Sequence, residues 1–180
     1  MALNANICKV NLTLANIDRQ HYQDYRLTLA QHPSETDERL IVRLLAFALF
    51  AHEGPEFTKG LCVDEEPDLW THSPTGQILR WVELGQPSEK RIRQACSQAE
   101  QVTILGFQVF KFKQWLAGLE KKTLAQPKLE ILLLEAQGSG SPAALAAKSM
   151  NLTCTIREDQ LMLNSDQAQA TWAVTRLNPT

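Results

Sequence analysis

Asp68 and Glu83 are the residues of this chain with the plainest chemistry. They stand in the stretch 64–93, DEEPDLWTHSPTGQILRWVELGQPSEKRIR. It reads as an acidic loop, a strand, a four-residue turn, a second strand and a basic helix. Asp68 falls near the start of the first strand and Glu83 near the end of the second. Two carboxylates on neighbouring strands can hold a divalent cation, Mg2+ or Mn2+, against a phosphodiester. Such a cation lowers the pKa of a bound water and stabilises charge on the phosphate. A lysine two residues past the glutamate commonly completes this equipment, orienting the water and offsetting the developing charge. Here that position is Gly85.

A hairpin has to bring the two acids together. With Ser73-Pro74-Thr75-Gly76 as the loop, His72 faces Gln77, Trp70 faces Leu79 and Asp68 faces Trp81. Counting on by two puts Glu83 on the face of Asp68, one diagonal step away, at a Cα separation of roughly 7–8 Å. A one-residue slip would turn Glu83 to the other face.

The helix that can cover this face begins in HPSETDER, with Ser34 as N-cap and Glu35, Asp37 and Glu38 on the first turn. It runs to about His52, before Gly54-Pro55. Its apolar residues exceed one stripe, which predicts a central helix lying on a curved sheet. Glu38, Ile41, Leu45 and Ala48 share a stripe that carries Glu38 toward Asp68 and Glu83. Glu35 matches an i,i+4 pair with Arg39. Arg39 or Arg43 can also pair with a buried strand acid such as Glu83.

The remaining periodicity predicts strands at 5–17, 22–30, 57–63, 102–109, 128–135, 152–157, 160–163 and 171–177. Helices are expected at 88–100, 110–121 and 143–148. This is one α/β (α+β) domain over 1–180, a mixed sheet with helices on both faces.

The order of a helix glutamate, Pro67-Asp68 entering a hairpin, Glu83 ending the next strand and then a helix resembles the PD-(D/E)xK nuclease superfamily. More narrowly, HPSETDERLIVRLLAFALF, FTKGLCVDEEPDLW and WVELGQPSEKRIRQA resemble the YaeQ family of bacterial proteins, across essentially the whole chain. The resemblance implies a restriction-endonuclease-like variant fold. It gives Asp68 and Glu83 the roles of metal ligands and Glu38 (or Glu35) that of the helix glutamate. Gly85 departs from the motif lysine, and Lys90 is the first replacement from the next helix, with Arg91, Arg93 and Gln98 behind it.

Composition bounds the alternatives. The net charge of −2 advertises no global field for nucleic acid, so a basic surface has to be local, and the densest cluster is Lys90, Arg91 and Arg93. Cys8, Cys62, Cys96 and Cys154 have no metal-ligand spacing and read as reduced core residues. No phosphate-cradling glycine motif is present. The N-terminus lacks a signal-peptide pattern, and the longest apolar run, 40–51, is broken by Arg43 and too short for a bilayer. A cytoplasmic protein without membrane contact is expected, with DNA or RNA as partner.

Two functions follow from the sequence. One is a metal-dependent nuclease or phosphodiesterase acting through Glu38, Asp68, Glu83 and Lys90. The other is a non-catalytic nucleic-acid- or protein-binding module on the same fold. Geometry separates them. Catalysis requires the two carboxylates within about 5 Å of each other. Carboxylates on opposite faces, or an arginine from 39 or 43 in the gap, argue against it.

Overall fold

The computed structural model describes residues 4–59, 63 and 65–177. Ten strands form one mixed sheet: β1 (Asn6–Asn16), β2 (His21–Gln31), β3 (Glu56–Phe57), β4 (Leu69–His72), β5 (Ile78–Leu84), β6 (Ala99–Gly106), β7 (Leu129–Gln137), β8 (Ser149–Arg157), β9 (Gln160–Asn164) and β10 (Gln169–Arg176). Their spatial order is β2-β1-β8-β9-β10-β7-β6-β5-β4-β3. β5, β6 and β7 run parallel, as do β1 and β8; the other neighbours are antiparallel.

The helices are α1 (Asp37–Phe50), α2 (Glu89–Gln98), α3 (Val109–Ala117) and the short α4 (Lys121–Leu124). α1 is buried at every position from Leu40 to Ala48. It packs with the inward residues of β1, β8 and β9 and with Leu69, Val82 and Leu84 in one core. The sheet curls round it, as a helix with apolar residues on more than one stripe requires. A second core on the opposite face holds Trp81, Val102, Ile104, Ile131 and Leu133 against Ile92 and Ala95 of α2 and Phe112 of α3. β7 therefore reads as an unbroken apolar run: Ile131 and Leu133 enter one core, Leu132 and Leu134 the other. No helix among the described residues is long and apolar enough to cross a membrane.

The mixed sheet with helices on both faces is as the sequence predicts, but several element ends differ. α1 starts at Asp37, capped by Thr36, whose hydroxyl accepts the Arg39 N–H. Ser34 does not cap, because its hydroxyl lies 2.6 Å from His32 Nδ1 in the turn before the helix. α2 ends at Gln98 rather than 100, since Ala99 is already paired with Ile78 of β5. The 110–121 helix divides at Gly118 into α3 and α4. The strand expected at 57–63 is the two-residue β3, with 60–62 outside the described residues. Pro142–Leu145 is a 3-10 turn where a short helix was expected.

Cys8, Cys96 and Cys154 are buried free thiols, and Cys62 lies outside the described residues. Burial pushes the Cys154 thiol up to about 12, so it stays protonated and unreactive at neutral pH.

Candidate functional site

Asp68 and Glu83 meet where β4 begins and β5 ends. The hairpin is closed by Ser73 N–H donating to Gln77 O (2.8 Å), which leaves Pro74, Thr75 and Gly76 as a three-residue loop. A bulge between Thr71 and His72 then shifts the register once more, so Trp70 pairs with Trp81 and Leu69 with Val82. The partners therefore differ by two residues from those expected, and parity is kept. Continuing by one residue sets Asp68 opposite Glu83.

The side chains nevertheless part. Asp68 Oδ2 accepts the Leu84 N–H at 2.8 Å, so a carboxylate takes the place of a backbone carbonyl at the end of the ladder. Asp68 Oδ1 lies 2.8 Å from Arg39 Nη2 of α1, within ion-pair distance but poorly aligned for a hydrogen bond. Glu83 points the other way, with Trp81 and α2. Its Oε2 accepts from Trp81 Nε1 at 2.8 Å, and Arg91 Nε lies 3.2–3.3 Å from both its oxygens. The Arg91 guanidinium sits over the Trp81 ring, 4.9 Å from its centroid.

Glu35 extends the network into the core. It is 6% exposed and receives Arg39 Nη1 on Oε1 and Arg43 Nη1 on Oε2, both at 2.9 Å. Arg43 is itself 1% exposed and also donates to Ala30 O, while its Nε and Nη2 have no partner among the described residues. The chain of charges thus runs Arg43–Glu35–Arg39–Asp68. Burial alone would lower the Arg39 pKa, but Asp68 and Glu35 outweigh it and hold the guanidinium firmly charged.

Glu38 is half-buried on α1, and no pair of its side chain is seen among the described residues. Lys90 is exposed on the first turn of α2, likewise without a described pair. The helix glutamate linked to Asp68 is accordingly Glu35, and the cation that reaches Glu83 from the next helix is Arg91. The sequence signals were present. Glu35, Arg39 and Arg43 recur every four residues along one face of α1, and Ser88, as N-cap, sets Arg91 on the turn that folds back over β5.

Burial raises the Glu83 pKa; the Trp81 and Arg91 contacts pull it down, and the charge of Asp68 pushes it up again, for a net upward shift. The folded protein then holds a proton on Glu83 at pH values where the unfolded chain has lost it. Stability therefore falls as pH rises from the ordinary glutamate value to the raised one. Glu83→Gln should flatten that decline. Chemical denaturation of both proteins across the mildly acidic range measures it, and parallel slopes would refute the assignment to Glu83.

A cleft of about 260 Å3 adjoins the network, lined by Arg39, Leu84, Gly85, Gln86, Phe107, Gln108 and Phe112. It opens at the carboxyl ends of the parallel strands β5 and β6, where ligands of open α/β sheets bind. Two larger cavities, about 550 and 490 Å3, lie at the other end of the strands. Arg80 there is committed to Glu53 (2.7 and 3.0 Å), Thr103 (2.8 Å) and Glu130 (3.3 Å), so that end reads as a structural tie.

Asp68 and Glu83 offer the hard oxygens that Mg2+ or Mn2+ prefers, and guanidinium groups stand where a cation's charge would be. The described residues contain no group of three or more His, Cys, Asp or Glu placed to hold a metal ion.

The family model described as YaeQ protein matches residues 1–174. A protein of Escherichia coli K12 named Uncharacterized protein YaeQ is 37% identical over 167 residues, covering 93% of this chain and 92% of its own. The YaeQ protein of Xanthomonas axonopodis pv. citri has a crystal structure that superposes with a TM-score of 0.90 at 34% identity, covering 98% and 99% of the two chains. That of Pseudomonas syringae gives a TM-score of 0.79 at 26% identity, covering 98% and 97%.

Proposed function

The chain belongs to the YaeQ family, and for this member we propose nucleic-acid binding at the carboxyl edge of β5 and β6, on a nuclease-like scaffold. The observation that carries the reading is charge separation. Each acid of the site has an arginine or backbone N–H of its own: Asp68 has Arg39 and Leu84, Glu83 has Trp81 and Arg91, Glu35 has Arg39 and Arg43. The basic side chains of the neighbouring helices face solvent; Arg93, Lys113 and Lys122 make surface pairs with Glu89, Glu135 and Glu120, while Lys90, Lys111 and Lys121 have no described pair. Residues 85–124, which carry α2, α3 and α4, hold seven Lys or Arg against three Glu in a chain of net charge −2. Lys90, Arg93, Lys111, Lys113, Lys121 and Lys122 are all exposed. A cleft whose one charged lining residue is Arg39, next to helices rich in exposed lysine, suits a phosphate backbone, and exposed lysines hold phosphates without reading sequence.

A second reading, metal-dependent phosphodiester cleavage, is favoured by one observation. Glu83, although it points away from Asp68, is a carboxyl whose pKa is raised by burial and, to a lesser degree, by the charge of Asp68, and carboxyls so perturbed cluster at catalytic sites. Mg2+ or Mn2+ bound there would supply a water of lowered pKa and charge stabilisation for the phosphate. Asp68 and Glu83 would hold it, Arg39 would turn from Asp68 to a phosphate oxygen, and Arg91 would take the part of the motif lysine.

One experiment tests both. Plasmid, single-stranded DNA and RNA are incubated with Mg2+ or Mn2+ and wild type, Asp68→Asn or Glu83→Gln, and binding is followed in EDTA. Salt-sensitive binding without cleavage is the expected result. Under the second reading, cleavage appears and falls at least about a hundredfold in either variant, the scale of losing a charge-stabilising group. Absence of binding to every nucleic acid would remove the first reading.

A further inference from the structure

We infer that the nucleic acid taken at this edge is single-stranded, with Phe110 as the platform on which a base stacks; the inference rests on the nucleic-acid-binding reading. Phe110 is 76% exposed, the most exposed large apolar side chain among the described residues. A phenylalanine so exposed on a well-formed helix buries nothing in the fold. Its neighbours on α3 divide cleanly. Phe112 is buried in the core against Gly106, whereas Phe110 and Lys111 stay in solvent.

Position gives the exposed ring a use. Gln108, two residues before it, lines the cleft that Arg39 floors. Trp115 Nε1 donates to Pro87 O at 3.0 Å, and Glu89 accepts the Glu120 N–H, so α3 lies across the start of α2. Lys111 follows Phe110 directly on the first turn of α3, and Lys90 stands exposed on the first turn of α2, which the far end of α3 contacts. No acidic residue occurs from Phe107 to Leu119; the described carboxylates that reach this stretch are Glu135, beside Lys113, and Glu89, at the far end near Glu120.

An aromatic face with cations on either side is the equipment of single-strand binding. A base in a duplex has its faces covered by its neighbours, whereas an unpaired base offers a free face to the ring while Lys and Arg track the backbone. Each base–aromatic stack changes affinity roughly fivefold to a hundredfold. A peptide partner would gain from the apolar ring but not from the lysines, unless it were acidic.

The test is fluorescence anisotropy in EDTA with a labelled short oligothymidylate and a duplex of equal length, over a salt series. Wild type should prefer the single strand. Phe110→Ala should weaken that complex by about fivefold to a hundredfold, and Phe110→Trp should keep it. Lys111→Gln should lower the salt slope by about one. Because Phe110 lies in solvent, loss of binding in Phe110→Ala with an unchanged thermal melt is not a folding defect. Equal affinity for both probes, or an unchanged Phe110→Ala complex, would overturn the inference and leave nucleic-acid binding standing. No binding to either probe would overturn both.

Discussion

Replacing Glu35 by alanine is expected to destabilise the protein by about 3–5 kcal/mol, the cost of leaving one partner of a buried ion pair alone. Arg43 is 1% exposed, and among the described residues Glu35 alone pairs a carboxylate with it, at 2.9 Å. Its remaining described hydrogen bond goes to Ala30 O, and two of its nitrogens already lack a partner among the described residues. Without Glu35 the guanidinium stays charged inside the core around α1. Arg39 keeps Asp68 and, at 15% side-chain exposure, retains some access to water, so it contributes less of the penalty. Removing both charges together, as in Glu35→Leu with Arg43→Met, should recover much of the loss, because the unpaired charge rather than the missing bond carries the cost. Urea denaturation of the two variants decides the matter. A single variant within about 1 kcal/mol of wild type, the usual range of a surface pair, would show that water reaches Arg43.

The second large effect lies at the end of β6. A Cβ built on Gly106 would stand 2.4 Å from the ring of Phe112, well inside any permitted contact. Gly106→Ala must push the ring, and with it the start of α3, away from the sheet, at a cost of roughly 1–3 kcal/mol for overpacking. Phe112→Ala empties the same space and should cost about 3–5 kcal/mol. Since the two substitutions act on one contact, the double variant should be less damaged than the separate costs imply. Phe107, Gln108 and Phe112 line the cleft, so Gly106→Ala should also weaken oligonucleotide binding. Strict additivity in equilibrium unfolding would mean that the ring moves freely and that α3 is not seated through Gly106.

The elements were legible in the sequence because their periodicity is strong. β1 alternates through Cys8, Val10, Leu12 and Leu14, all buried, and α1 announces its enclosure by its excess of apolar residues. What stayed hidden was local competition. Ser34 and Thr36 are both good caps, and only the contact between His32 and Ser34 decides in favour of Thr36. In the hairpin, the three-residue loop and the Thr71/His72 bulge each add one residue, so the parity of the register survived while the partner of Trp70 changed. The directions of Asp68 and Glu83 could not be read from parity, because Asp68 precedes β4 and its carboxylate replaces a ladder carbonyl. Arg39 was legible as a neighbour of Glu35 but not as the bridge from Glu35 to Asp68, since the bridge depends on how α1 lies across the sheet.

The parallel pairing of β1 with β8 has a consequence for synthesis. Lys9 aligns with Ser149 and Asn16 with Ile156, and Asn11 and Asn151 hold each other at 2.8 Å across 140 residues. Contacts of such sequence separation form late. On the ribosome, β1, β2 and α1 emerge first and must wait for β8 before the sheet can close round the helix. Until then the apolar surface of α1 and the free edge of β1 stand open, which makes the nascent chain, rather than the finished fold, the form most exposed to aggregation and most in need of a chaperone.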